Sequence, residues 1–227
     1  MTNTMTHANA TQTDLTLEEV NDNILKWNDI RKDEIKLKFY LEENNPFKLD
    51  PFIPTPECSD YLHFYPAITA DNKFVMYVIK ALDDKVSLKD LSNSEFNSKI
   101  KKLTQETIFP TNINPAIAHE RIAIWNHFHN AWIDEQVKSE FGVFRAFTVH
   151  AGDLPVNETL IVNLGLRFEY TVVGSISSDQ FVADLIFGDE NYLSKYYDTT
   201  KPVPPYSDEG NQPTSECAFF LLTLPTT

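Results

Sequence analysis

The apolar positions of the chain change their spacing several times, and each change marks an element. Leu17, Val20, Ile24 and Trp27 recur every three or four residues, with Arg31 a turn further on, which is the signature of one helix face. Thr16 and Glu19 stand at its start in capping-box spacing, where a hydroxyl and a carboxylate serve the free amides of the first turn. From Ile35 the period falls to two. Ile35, Leu37, Phe39 and Leu41 alternate with Lys36, Lys38 and Tyr40, which predicts a strand, with a longer helix as the alternative. Pro46, Pro51, Pro54 and Pro56 then make 44–56 a connection.

Tyr61–Tyr65 and Lys73–Ala81 read as strands, joined as a hairpin by a turn over Thr69–Asn72. Ser87–Leu103 reads as helix, in one or two pieces, and Phe109–Pro115 as a connector. Pro115 suits the first position of a second long helix that runs to about Lys138. Its apolar face carries Ile122, Trp125, His129, Trp132 and Ile133, and Gly142 is its stop. Strands follow over Val143–Val149, Thr159–Val172 and Phe181–Phe187. Tyr192–Tyr197 fits either type, 201–213 is a Pro-rich extended segment, and Ala218–Leu224 reads as a final strand. The predicted fold is α+β: mostly antiparallel sheet packed by two long amphipathic helices.

A weak internal echo accompanies this pattern. Ile24-x-x-Trp27-Asn28 returns as Ile122-x-x-Trp125-Asn126, and Phe74-Val75 returns as Phe181-Val182. Helix, strand, strand, strand is the order in both halves, although the offsets differ by an insertion. The expected organisation is a polar arm over 1–14, a first half over 15–108 and a second over 109–227, which together can form one domain. Chance coincidence of two amphipathic helices and two strands is the alternative to a duplication.

Composition narrows the class. The chain has 227 residues, 42% hydrophobic and 12% aromatic, enough for a dense core. The net charge is −14, and both sides of Asn114 are acidic, at −5 and −9. Without a basic surplus, neither nucleic acid nor an anionic membrane surface is an expected partner. The first residues lack the apolar core of a secretory signal, and no apolar run approaches membrane-spanning length, so a cytoplasmic location is the expectation. Cys58 and Cys217 lie far apart outside any paired-cysteine motif and read as free buried thiols.

Candidate chemistry is sparse. His127 and His129 look like a metal pair, but on a helix two residues apart they diverge by about 200°. His119 lies elsewhere again, so no metal is expected. With only six glycines, and none in a phosphate-cradling pattern, no nucleotide cofactor is expected either. Tyr61, His63 and Tyr65 alternate on one strand face, where they would form an aromatic strip for a sugar or peptide, or simply the buried side of a sheet. His150 precedes Ala151-Gly152-Asp153 and could be a base oriented by a carboxylate, but no nucleophile motif accompanies it. Gly174-Ser175-Ile176-Ser177 lacks the second glycine of a nucleophile elbow. Asp83-Asp84 and Asp189-Glu190 fall at strand ends, where loops are usually solvated.

No catalytic residue is assigned. The expected role is a structural or interaction protein that self-associates. Two features motivate it: the polar arm, and an apolar Phe219-Phe220 strand whose open edge could template a neighbour. Tyr206, in the Pro-rich segment, could dock on a partner's groove. The rivals are a hydrolase using His63 or His150 with a carboxylate, and a glycan or small-ligand module using the Tyr61–Tyr65 strip.

Overall fold

The structure, a computed structural model, describes residues 14–42, 46–50, 61–105, 116–139, 142–154, 158–173, 176–189, 196–197, 200–203 and 219–224. Helix α1 spans Leu17–Ile30, and the Thr16 side chain accepts the Glu19 amide, one half of the expected box. Helix α2 follows at Glu34–Leu41, capped by Asp33. This corrects the strand expected there. Leu37 and Leu41, four residues apart, are buried, whereas Ile35 and Phe39 face solvent. The apolar residues thus lie on two opposite faces of a helix and mimic alternation.

Strand β1 (Phe47–Leu49) lies within the stretch read as connection. Strands β2 (Tyr61–Ile68) and β3 (Phe74–Lys80) form the expected hairpin, with Asn72 left-handed at φ 58° in its turn. There the Asp71 carboxyl is lowered to about 2, chiefly by its hydrogen bond with Lys73. The region expected to be helical over Ser87–Leu103 divides into a 3-10 turn at Val86–Asp90, helix α3 at Asn93–Lys99 and strand β4 at Ile100–Thr104. Ser92 and Glu95 close a complete capping box on α3. Beyond it, hydrogen bonding to β3 holds Ile100–Thr104 extended.

Helix α4 spans Ala116–Gln136. Strands β5 (Ala146–His150), β6 (Leu160–Val173), β7 (Ile176–Asp189), β8 (Tyr196–Tyr197) and β9 (Thr200–Val203) follow. The final element is a 3-10 turn at Phe220–Leu222, not a strand. The arm, Pro115, Cys58, Cys217, Gly174-Ser175 and Tyr206 lie outside the described residues.

Among the described residues all strand pairings are antiparallel and build two sheets, ordered β1-β6-β7-β8 and β4-β3-β2-β5-β9. Each sheet takes strands from both halves of the sequence. The principal core lies between them: Leu62, Phe64 and Met76 of one sheet meet Leu164, Leu185 and Phe187 of the other. Trp27, Trp125, Trp132 and Phe144 extend it as a chain of rings. The far face of the five-stranded sheet carries a second cluster, where Val20 and Ile24 of α1 meet Tyr65, Tyr77 and Leu221. Helix α4 packs along β6, and Arg121 crosses directly over Gly165.

Candidate functional site

The alternation of β2 sends Leu62 and Phe64 into the principal core and brings His63 and Tyr65 to the opposite face. Beyond β3 the chain turns sharply, and the Asp84 amide bonds back to the carbonyls of Lys80 and Ala81. That turn folds the Asp84 carboxylate inward over β2. Its Oδ2 lies 2.6 Å from His63 Nδ1 and also accepts the Tyr65 hydroxyl. The expectation of a solvated Asp83-Asp84 loop is therefore corrected for Asp84, whose side chain is 0% exposed. Asp83 remains nearer the surface and pairs with Lys99.

The last described segment lies over this cluster. Phe219 stacks on the His63 ring at 3.9 Å and meets Tyr65 edge-on. Leu221 is buried and donates its amide to Asp84 Oδ1 at 3.2 Å. The carboxylate thus accepts from an imidazole, a phenol and a backbone amide. In the neutral tautomer that donates Nδ1–H to Asp84, the His63 ring carries its lone pair on Nε2. Nε2 is buried and has no hydrogen-bond partner among the described residues. Burial, followed by the charge of Asp84, pushes the Tyr65 hydroxyl well above the ordinary phenol range.

Tyr61, His63 and Tyr65 do lie on one face, as β2 periodicity requires, but they do not form an open strip. His63 and Tyr65 are sealed, and Tyr61, 40% exposed, stands at the strand end against the ring of His150. The His150 backbone pairs with Tyr61, which puts it in the same sheet as His63 but away from Asp84. Phe219 and Phe220 are half-buried in the 3-10 segment, so the edge strand expected of them does not exist. On α4, His129 is buried, bonds to the Trp125 carbonyl and stacks on its ring, whereas His127 is exposed. Among the described residues no three His, Cys, Asp or Glu side chains gather as a metal would need, and no helix is long and apolar enough to cross a membrane.

A second charged cluster escaped the sequence reading. Asp184 of β7 is fully buried and accepts from Arg121 of α4 at 2.8 Å, with Arg167 at 3.6 Å and Glu169 beyond, bonded to Arg167. Paired guanidinium groups keep the buried carboxylate neutralised. The signal was faint: an Asp inside an apolar strand with an Arg inside a helix.

No protein-family model, curated protein or solved structure matches the chain. The functional reading therefore stands on the geometry alone.

Proposed function

We propose that this is a non-enzymatic protein that acts by association, with a second copy of the chain as its partner. One observation carries the reading. Ile35 and Phe39 on α2, Phe128 on α4, and the Phe168–Phe181 pair on β6 and β7 stay exposed, at 81%, 67%, 57%, 56% and 37%. Their elements are gathered around α4. The Lys38–Asp134 ion pair ties α2 to it, and the Trp132 indole donates to the Phe181 carbonyl. Scattered apolar residues are ordinary at a surface, but exposed apolar residues on α4 and on the elements packed against it suit a contact between proteins.

Light scattering on the full chain across a wide concentration range tests the proposal. The expected result is a mass above the monomer that falls when Phe39→Lys and Phe168→Lys are combined. Both sites are exposed enough that folding should be little changed. A monomer at every concentration overturns it. A second reading, acid–base catalysis by His63 and Asp84, is favoured by the orphaned Nε2, but it requires Phe219 to leave the imidazole first.

A further inference from the structure

The segment over Asp84 is built as a separate unit. Its own backbone hydrogen bonds are internal, Leu222 N to Phe219 O and Thr223 N to Phe220 O, and it adds no strand to either sheet. The body meets it with three distinct contacts. Asp84 Oδ1 takes the Leu221 amide, the His63 ring forms a flat bed for Phe219, and the apolar cluster beside α1 receives the Leu221 side chain. Lys89 lies 5.7 Å from the Phe220 ring and adds a cation–π contact. The acceptor is also oriented from behind. His63 and Tyr65 bond to Asp84 Oδ2, so the direction of Oδ1 does not depend on the segment that bonds to it. A carboxylate held ready in this way lowers the ordering cost of binding whatever amide arrives.

We propose that the recess between α1, β2 and the Asp84 turn is a peptide-binding site, which accepts a short apolar segment with an aromatic residue two positions before a leucine, and that Phe219–Leu224 occupies it as a tethered ligand. In sequence, residues 204–218 join the segment to the end of β9. Because the segment belongs to the same chain, it competes at an effective concentration in the millimolar range (about 1 mM), and a free peptide in the micromolar range (about 1 μM) competes poorly. An occupant from another protein would gain access when its own affinity is high or when the tethered segment is weakened. The orphaned His63 Nε2 adds selectivity, since an incoming peptide that brings a hydroxyl or amide donor to that lone pair gains a bond that Phe219 does not make. The site lies on the opposite face of the five-stranded sheet from the principal core and is independent of the association face around α4.

The test uses the full chain and a fluorescein-labelled peptide of sequence Ala-Phe-Phe-Leu-Leu-Thr-Leu, which copies residues 218–224, read by fluorescence anisotropy. Leu221→Asp should release the tethered segment and bind the peptide at least about tenfold more tightly than the natural chain, because the tethered competitor is gone. Adding Asp84→Ala to Leu221→Asp should return binding to the natural level or below. Phe219→Ser, at a half-buried position, is the gentler variant and should show the same direction. Circular dichroism confirms that each variant is folded. A folded Leu221→Asp or Phe219→Ser chain that binds no more peptide than the natural chain overturns the proposal. So does tight binding by the natural chain that the variants leave unchanged. A dimer of the natural chain that dissociates with Leu221→Asp makes the second copy the occupant and overturns a free-peptide partner. Loss of association with Phe39→Lys and Phe168→Lys alone bears only on the face around α4.

Discussion

At the scale of single residues, the two buried tryptophans carry the clearest expectation. Trp27 and Trp125 are both fully buried, but their polar atoms differ. The Trp27 indole donates to the Phe144 carbonyl at 3.0 Å and its ring lies between Phe74 and Phe144. Trp125 stacks on His129 and leans on Trp132, and its indole nitrogen has no partner among the described residues. Either change to alanine should cost about 3–5 kcal/mol, read as a shift of the urea midpoint at constant slope. Trp27→Ala should fall at the upper end, because it also strands the Phe144 carbonyl. A loss below about 1 kcal/mol at either site would contradict the packing described. The core positions of these tryptophans were legible from helical spacing. The burial of Asp84 was not, because nothing local distinguishes an aspartate that turns inward from one that turns to water. Only the pairing of β2 with β3 brings it over His63 and Tyr65, residues that were themselves singled out for their alternation.

At the scale of elements, α4 can lie close to β6 because residue 165 is glycine. A Cβ there would meet Ile186 Cγ1 at 3.0 Å and the Arg121 Cβ at 3.3 Å. The same close approach delivers the Arg121 guanidinium to Asp184. Gly165→Ala should push α4 outward and destabilise the fold by about 1–3 kcal/mol, measured by chemical denaturation. Arg121→Ala combined with it should cost less than the sum of the two changes, since both loosen one contact. Gly142 has a different role. Its φ is +73° and a side chain would strike the Arg31 carbonyl, so it lets the chain leave α4 and return past α1. The stop expected at Gly142 is corrected, since α4 already ends at Gln136 and Gly142 makes its left-handed turn beside Arg31. Three errors concern element type: α2 read as strand, Ile100–Leu103 read as the end of a helix, and Ala218–Leu224 read as strand. In each, a short apolar stretch satisfies both periods, and neighbours distant in sequence decide between them. Sheet pairing decides for β4, and the Asp84 carboxylate decides for the last segment.

At the scale of the molecule, the second core carries two tyrosines with raised hydroxyls. Tyr77, bonded by Asn23, is pushed up to about 12, chiefly by burial, and Tyr65 is also pushed well above the ordinary phenol range, chiefly by burial and then by Asp84. In the unfolded chain both ionise near 10. A folded pKa above the unfolded one leaves the stabilisation intact below pH 10 and removes it as pH rises through the folded value. Stability should therefore be flat in this term up to pH 10 and decline between about 10 and 12, as urea titrations on the natural chain and on Tyr65→Phe and Tyr77→Phe will report. Each Phe variant should show a shallower decline. An unchanged slope in both would mean that these phenols do not set it. The class of fold, α+β with antiparallel sheets, was legible from the periods. The mixing of both halves of the sequence in each sheet was not, since strand order is a property of the assembled chain.

The Leu221 amide reaches Asp84 across 137 positions of sequence, and Trp27 reaches Phe144 across 117. A ribosome makes these partners at very different times. When β2, β3 and Asp84 have left the exit tunnel, neither β5, which pairs with β2, nor the segment that seals the carboxylate has been translated. The early half must wait, with its apolar faces open, until residue 221 has been made. Such a chain cannot complete its fold until these distant partners have emerged, and through that interval its apolar surface is open to aggregation.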